Sequence, residues 1–184
     1  MVNLDIKYHP SEKVLYLSCA PIHNRLQWGP GFLNYNHTYK LDESNPQDYI
    51  GMYDLKTEQF SVLTPNTYPL HGRGLSTHGI DVVDNKDGSA TLYLVNHGPN
   101  PEQDPLHPTI ESVEVYKAYP GKKTMTYERT FENDDVMLAL NAVSADGRGG
   151  IYFTNDKPNR HHRKYIVSRI IFSIMIYSFN KNHL

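Results

Sequence analysis

The chain holds a single cysteine, Cys19. No internal disulfide framework can form, and the redox compartment stays open. Neither sign of charge dominates: 18 Lys and Arg stand against 20 Asp and Glu, a formal net charge of -2. That balance gives no electrostatic reason to expect nucleic acid or an anionic membrane as partner. The opening Met1-Val2-Asn3-Leu4-Asp5-Ile6-Lys7 carries no apolar stretch of the secretory-signal type, and localisation is left open. Also missing are a Gly-x-Ser-x-Gly elbow, a glycine-rich phosphate loop and the paired Cys/His spacing of a zinc site. Nucleophilic-serine, nucleotide-binding and zinc chemistries therefore have no motif to rest on.

What the sequence does have is tyrosine and turn formers. Its 14 Tyr, 12 Gly and 12 Pro favour strands joined by tight turns over long helices. Apolar residues make up 39%, enough for one core in 184 residues. Three stretches repeat one pattern of a polar turn entering an aliphatic-tyrosine-apolar strand: Pro10 to Leu17, Asp87 to Leu94 and Asp146 to Phe153. Each follows a short apolar strand, at Leu4–Ile6, His78–Val83 and Leu140–Val143. The first two are followed by further strand pairs, Ile50–Leu55 with Gln59–Leu63 and Ser112–Lys117 with Thr124–Phe131. The unit is a four-stranded antiparallel meander, recurring on the scale of about 40–50 residues that propeller blades show. The expected fold class is all-β, an incomplete β-propeller of two to three blades over residues 1–156. A plain β-sandwich is the alternative.

Residues 20–49 read as a long irregular insertion, and His97 to Pro108 as a second one; such loops often carry function. Residues 157–184 change character, holding six of the basic residues and none of the acidic ones. The apolar run from Tyr165 to Phe179 is short and interrupted by Arg169, a poor membrane span. It reads as a tail foreign to the repeat, of mis-spliced or frame-shifted origin, with a membrane-associated segment as the alternative. Asn36-His37-Thr38 is a glycosylation sequon with nothing else to support its use.

Two histidines stand out by position. His78 opens a first strand and His97 closes its hairpin partner, so the two rings can meet at one end of the sheet. Such a pair can act as base and partner on a water; two satisfied polar residues at a sheet end are the alternative. Asp5, His78 and Asn141 sit in the first strands of their units, where oxygen ligands could converge on a hard cation such as calcium. Asp84 to Gly88 is a hairpin turn and not an EF-hand loop, because Val83 and Leu94 would fall where carboxylates are required. His161-His162 has no matching ligands.

The stretches Thr77-His78-Gly79-Ile80-Asp81, Leu92-Tyr93-Leu94-Val95-Asn96-His97, Glu111 to Lys117, Leu140-Asn141-Ala142-Val143 and Gly150 to Asp156 together resemble the serum paraoxonase/arylesterase family. The resemblance runs from about Asp5 to Asp156. It implies part of a six-bladed β-propeller with two channel calcium ions, and hydrolysis of small-molecule aryl esters and lactones. By resemblance His78 is the base on water and His97 its partner. Asn141 is a ligand of the catalytic calcium, and Asp5 with the Ile80 carbonyl faces the structural one. Leu4 and Ala142 stand where the family carries two acidic ligands, Lys157-Pro158 replaces a family histidine, and the later blades and the end-to-end disulfide have no counterpart here. The expectation is an impaired arylesterase-like hydrolase with weak calcium sites, open sheet edges and a tendency to self-associate. A non-catalytic propeller remnant or binding module is the rival. Strictosidine-synthase or gluconolactonase propellers are a second rival, which the histidine pair disfavours.

Overall fold

A computed structural model describes residues 2–29, 34–35, 48–66, 74–100, 102 and 108–156. The sequon, half of the second insertion and the basic tail with His161-His162 lie outside the described residues.

The described chain is mostly strand. Four strands, β1 (Val2–His9), β2 (Val14–Ala20), β5 (Tyr49–Asp54) and β6 (Gln59–Pro65), form the first antiparallel meander. The strands β7 (Thr77–Asp84), β8 (Ala90–Pro99), β9 (Thr109–Ala118) and β10 (Thr124–Glu132) form the second. A hairpin of β11 (Leu140–Ala145) and β12 (Ile151–Asn155) follows. Both expected meanders are thus present, with ends within a few residues of those read from the sequence.

Turn chemistry sets the hairpins. Asp54 Oδ1 accepts from the amides of Lys56 and Thr57 (2.7 and 3.2 Å), Asp87 Oδ1 from that of Ser89 (3.0 Å), and Asp146 Oδ1 from those of Arg148 and Gly150 (2.7 and 2.8 Å). These side chains take up amides that the strand ladders leave free at the bends. The 84–88 stretch is accordingly a turn between β7 and β8.

The insertion after β2 is not wholly irregular. It contains a short helix, α1 (Ile22–Gln27), and a two-residue pairing of β3 (Trp28–Gly29) with β4 (Asn34–Tyr35). A six-residue helix is marginal alone. Its anchor is tertiary, and that anchor lies at the candidate site described below.

The meanders join into one eight-stranded sheet through a parallel contact between β6 and β10, at Thr64–Thr124 and Pro65–Met125. The sheet bends back until it is nearly closed and barrel-like, with β1 and β7 side by side. Val14, Tyr16, Ile50, Met52 and Leu63 pack inside it against Ile80, Leu92, Leu94, Tyr116 and Met125. The other face of the second meander packs on β11 and β12: Tyr93, Val95, Val113 and Val115 meet Leu140, Val143, Ile151 and Phe153. Fully burying a side chain of this size is worth roughly 1.5–3 kcal/mol, so these two cores dominate the fold.

The outer face of the first meander is different. Directly paired positions place Tyr8, Leu15, Tyr53 and Phe60 in one row, and Ile6, Leu17, Gly51 and Val62 in the next. Ile6, Tyr8, Phe60 and Val62 are all exposed. Among the described residues no helix is long and apolar enough to cross a membrane.

Candidate functional site

Strands β1, β7 and β11 open their units and lie in a row, cross-linked by side chains. Asp5 Oδ2 accepts from the Ile80 amide of β7 (3.1 Å), and Asp81 Oδ2 of β7 accepts from the Ala145 amide of β11 (2.8 Å). At Gly79 the approach is so close that an added Cβ would lie 2.9 Å from Ala142 Cα.

Each of the three strands breaks register at or beside its candidate residue: between Asn3 and Asp5 in β1, between Thr77 and Ile80 in β7, and between Leu140 and Val143 in β11. A bulge leaves a residue out of the ladder and re-aims its side chain. His78 and Asn141 are therefore released from regular pairing, whereas in β1 the released residue is Leu4 and Asp5 stays paired with Ser18.

The histidines come together. The ring centroids of His78 and His97 are 5.7 Å apart, with planes tilted by 48°. His78 Nδ1 is buried and meets no hydrogen-bond partner among the described residues. Burial first, then the nearby His97 and Arg25, lowers the His78 pKa below its ordinary value. His97 is held on every side. Its amide donates to Ser76 O (2.9 Å), its carbonyl accepts from Trp28 Nε1 (3.0 Å), and its Nδ1 lies 2.8 Å from Glu111 Oε2.

Trp28 belongs to the segment around α1, and this is what anchors that segment. Arg25 of α1 donates to Asp48 Oδ2 (2.5 Å) and to the Thr77 carbonyl, while the Thr77 amide donates to Asp48 Oδ2 (2.8 Å). Ser18 Oγ adds a bond to Thr77 Oγ1 (2.8 Å). Burial pushes the Asp48 carboxyl up to about 7, against the opposing pull of Arg25. Burial likewise lowers Arg25.

Among the predicted calcium ligands, Asp5 and Ile80 meet through the Ile80 amide, and Asp5 Oδ1 also accepts from its neighbour Ile6 (2.8 Å). Asn141 donates through Nδ2 to Asp156 Oδ1 (2.5 Å), which leaves its amide oxygen outside that bond. Asp5 and Asp156 both act on His78, which puts all four in one neighbourhood. Leu4 is half-buried and Ala142 exposed, and neither side chain supplies an oxygen. Among the described residues no group of three or more His, Cys, Asp or Glu is arranged to hold a metal. Cys19 is a buried free thiol.

Glu111, Trp28, Arg25 and Asp48 were missed by the sequence reading. Glu111 lies directly across from His97 in the β8–β9 ladder; a carboxylate among the alternating apolar residues of β9 was the available signal, but the connection between the strands hid the register. A comparison with protein-family models finds no match, and none is found with curated proteins.

Proposed function

We propose that the chain is an arylesterase-like hydrolase of carboxylic esters and lactones, built on propeller-type blades, with His78 as the base on water and His97 as its partner. The observation that carries the reading is the side-by-side pair of imidazoles at the β7 bulge, one with a buried nitrogen that meets no partner among the described residues. The blade reading is supported by the two meanders and the start of a third unit, with bulged first strands in a row.

His78 takes a proton from water as the hydroxide oxygen bonds to the ester carbonyl carbon. The bond from that carbon to the leaving oxygen then breaks, and the proton passes to that oxygen. Acid and alcohol, or phenol, are the products. A depressed His78 pKa keeps the imidazole neutral, and so able to accept, at neutral pH. His97 supports the proton's passage.

Asp5, the Ile80 carbonyl, Asn141 and Asp156 are oxygen donors, a set that fits a hard cation such as calcium. They number fewer than the six to eight oxygens calcium prefers, so water would complete a weak site. Bound there, the ion would act as a Lewis acid on the carbonyl.

The test is hydrolysis of phenyl acetate and a simple lactone by the full chain, with calcium and with chelator, beside His78→Gln. Slow, chelator-sensitive turnover that disappears in His78→Gln is expected. Turnover indifferent to His78, or none above the blank at saturating calcium, sinks the hydrolase reading. In that event a binding module is the second reading, favoured by the exposed rows of Ile6, Tyr8, Phe60 and Val62; self-association through that face or through open sheet edges is part of it.

A further inference from the structure

We infer that Glu111 is the positioning residue of the histidine pair: it fixes His97 in the tautomer that carries its proton on Nδ1 and keeps Nε2 free as the basic nitrogen. As a statement about catalysis this rests on the hydrolase reading above; as a statement about the proton's place on His97 it stands by itself.

The geometry is specific. Glu111 and His97 are a directly opposed cross-strand pair on β9 and β8. Their side chains are 3% and 7% exposed, and Oε2 lies 2.8 Å from Nδ1. The same oxygen accepts from the Leu140 amide at 2.8 Å. An amide N–H only donates, so Oε2 serves there as an acceptor. A carboxylate oxygen has room for a second donor, and the Nδ1–H of His97 is the group in place to be it. Assignment of a ring proton follows from what the other partner does. Here the partner is an acceptor twice over, and Nε2 is left as the lone-pair nitrogen.

Two further consequences follow from the Leu140 bond. First, the carboxylate cannot swing away without leaving the buried Leu140 amide unpaired. Second, it ties the histidine on the second meander to the start of β11, one residue before Asn141. Asn141, the candidate cation ligand on the third unit, and the histidine pair on the second are thereby held in one frame.

The experiment is a long-range 1H–15N correlation of the histidine rings in the 15N-labelled full chain, at neutral pH, with His97 assigned through His97→Gln. The expected spectrum of the native chain shows His97 with a protonated Nδ1 and an unprotonated Nε2. Glu111→Met removes the acceptor at similar volume and should let the Nε2–H form become the major one. Glu111→Gln keeps one acceptor oxygen and should restore the native pattern. A native His97 carrying its neutral-state proton mainly on Nε2 overturns the inference without any variant, which covers the case of a Glu111→Met chain that does not fold. A folded Glu111→Met chain with an unchanged tautomer overturns it equally. With phenyl acetate, Glu111→Met should lower kcat by roughly 10–100-fold with KM little changed, and Glu111→Gln should recover most of it. If the native chain turns over no ester, the hydrolase reading fails while the spectrum still decides the role of Glu111.

Discussion

Two glycines of this chain are required for different physical reasons, and substitution separates them. Gly79 lies at the seam between β7 and β11. A methyl there would sit 2.9 Å from Ala142 Cα and closer still to the Asn141 carbonyl oxygen. Both are backbone atoms, fixed by the paired Leu140 and Val143 on either side and by the bond from the Ala142 amide to Thr154 Oγ1, so no side chain can rotate aside. Overpacking of this kind costs about 1–3 kcal/mol, which in a chain of this size lowers the melting midpoint by roughly 2–12 °C. Gly121 is the contrast. Among the described residues nothing lies within 4 Å of its added Cβ, but its φ is +77, so alanine there costs about 1–2 kcal/mol of left-handed backbone strain. Asparagine tolerates that conformation and takes more space. Gly121→Asn should therefore be milder than Gly121→Ala, and Gly79→Asn worse than Gly79→Ala. Thermal and urea unfolding followed by circular dichroism measures all four. If Gly79→Ala lies within about 0.5 kcal/mol of the native chain, or if asparagine is no worse than alanine at 79, the close seam between β7 and β11 is not there.

Asp48 gives a pH dependence. Its folded pKa of about 7 lies above the ordinary carboxyl value, so the folded state binds the extra proton between the two. Its contribution to stability is fully present below about pH 4 and is lost as pH rises toward 7. Urea midpoints at pH 4.5 and 7.5 should show a steeper decline for the native chain than for Asp48→Asn, and equal slopes contradict the assignment. Trp28→Phe removes the donor to the His97 carbonyl and should cost roughly 0.5–1.5 kcal/mol, with the His97 ring signals broadening or shifting in the same spectra. A variant with native stability and unshifted His97 signals would show that the tryptophan does not hold the site.

The meanders were legible because their outer strands show the simple signals. β10 alternates burial along most of its length, and the Asp-led turns announce the hairpins. The strand β8 is buried at every position from Leu92 to Gly98 because both its faces are covered, so its apolar run carried no period and was placed by its Leu-Tyr-Leu repeat. The histidine pair could be read because hairpin partners meet by construction. The bulges could not: a register break is a property of two strands together, and Leu4, His78 and Asn141 look like ordinary strand residues in one dimension. The segment around α1 was read as irregular since six helical residues give no periodic signal. Its position comes from Arg25 and Trp28, whose partners lie 52 and 69 residues away.

The second meander is shared by both hydrophobic cores, whereas the first meander and the β11–β12 hairpin each contribute to one. Elements covered on one side can open while the rest stays folded; a sheet covered on both sides opens only with the whole. Amide exchange should therefore be slowest along β8 and β9 and faster in the hairpin and around α1. His97 and Glu111 sit on the slow sheet, while Trp28 and the Leu140 amide that complete their setting arrive on faster pieces. With that order of exchange, the site is expected to be a long-lived pair of side chains whose enclosure is renewed again and again within the lifetime of the fold.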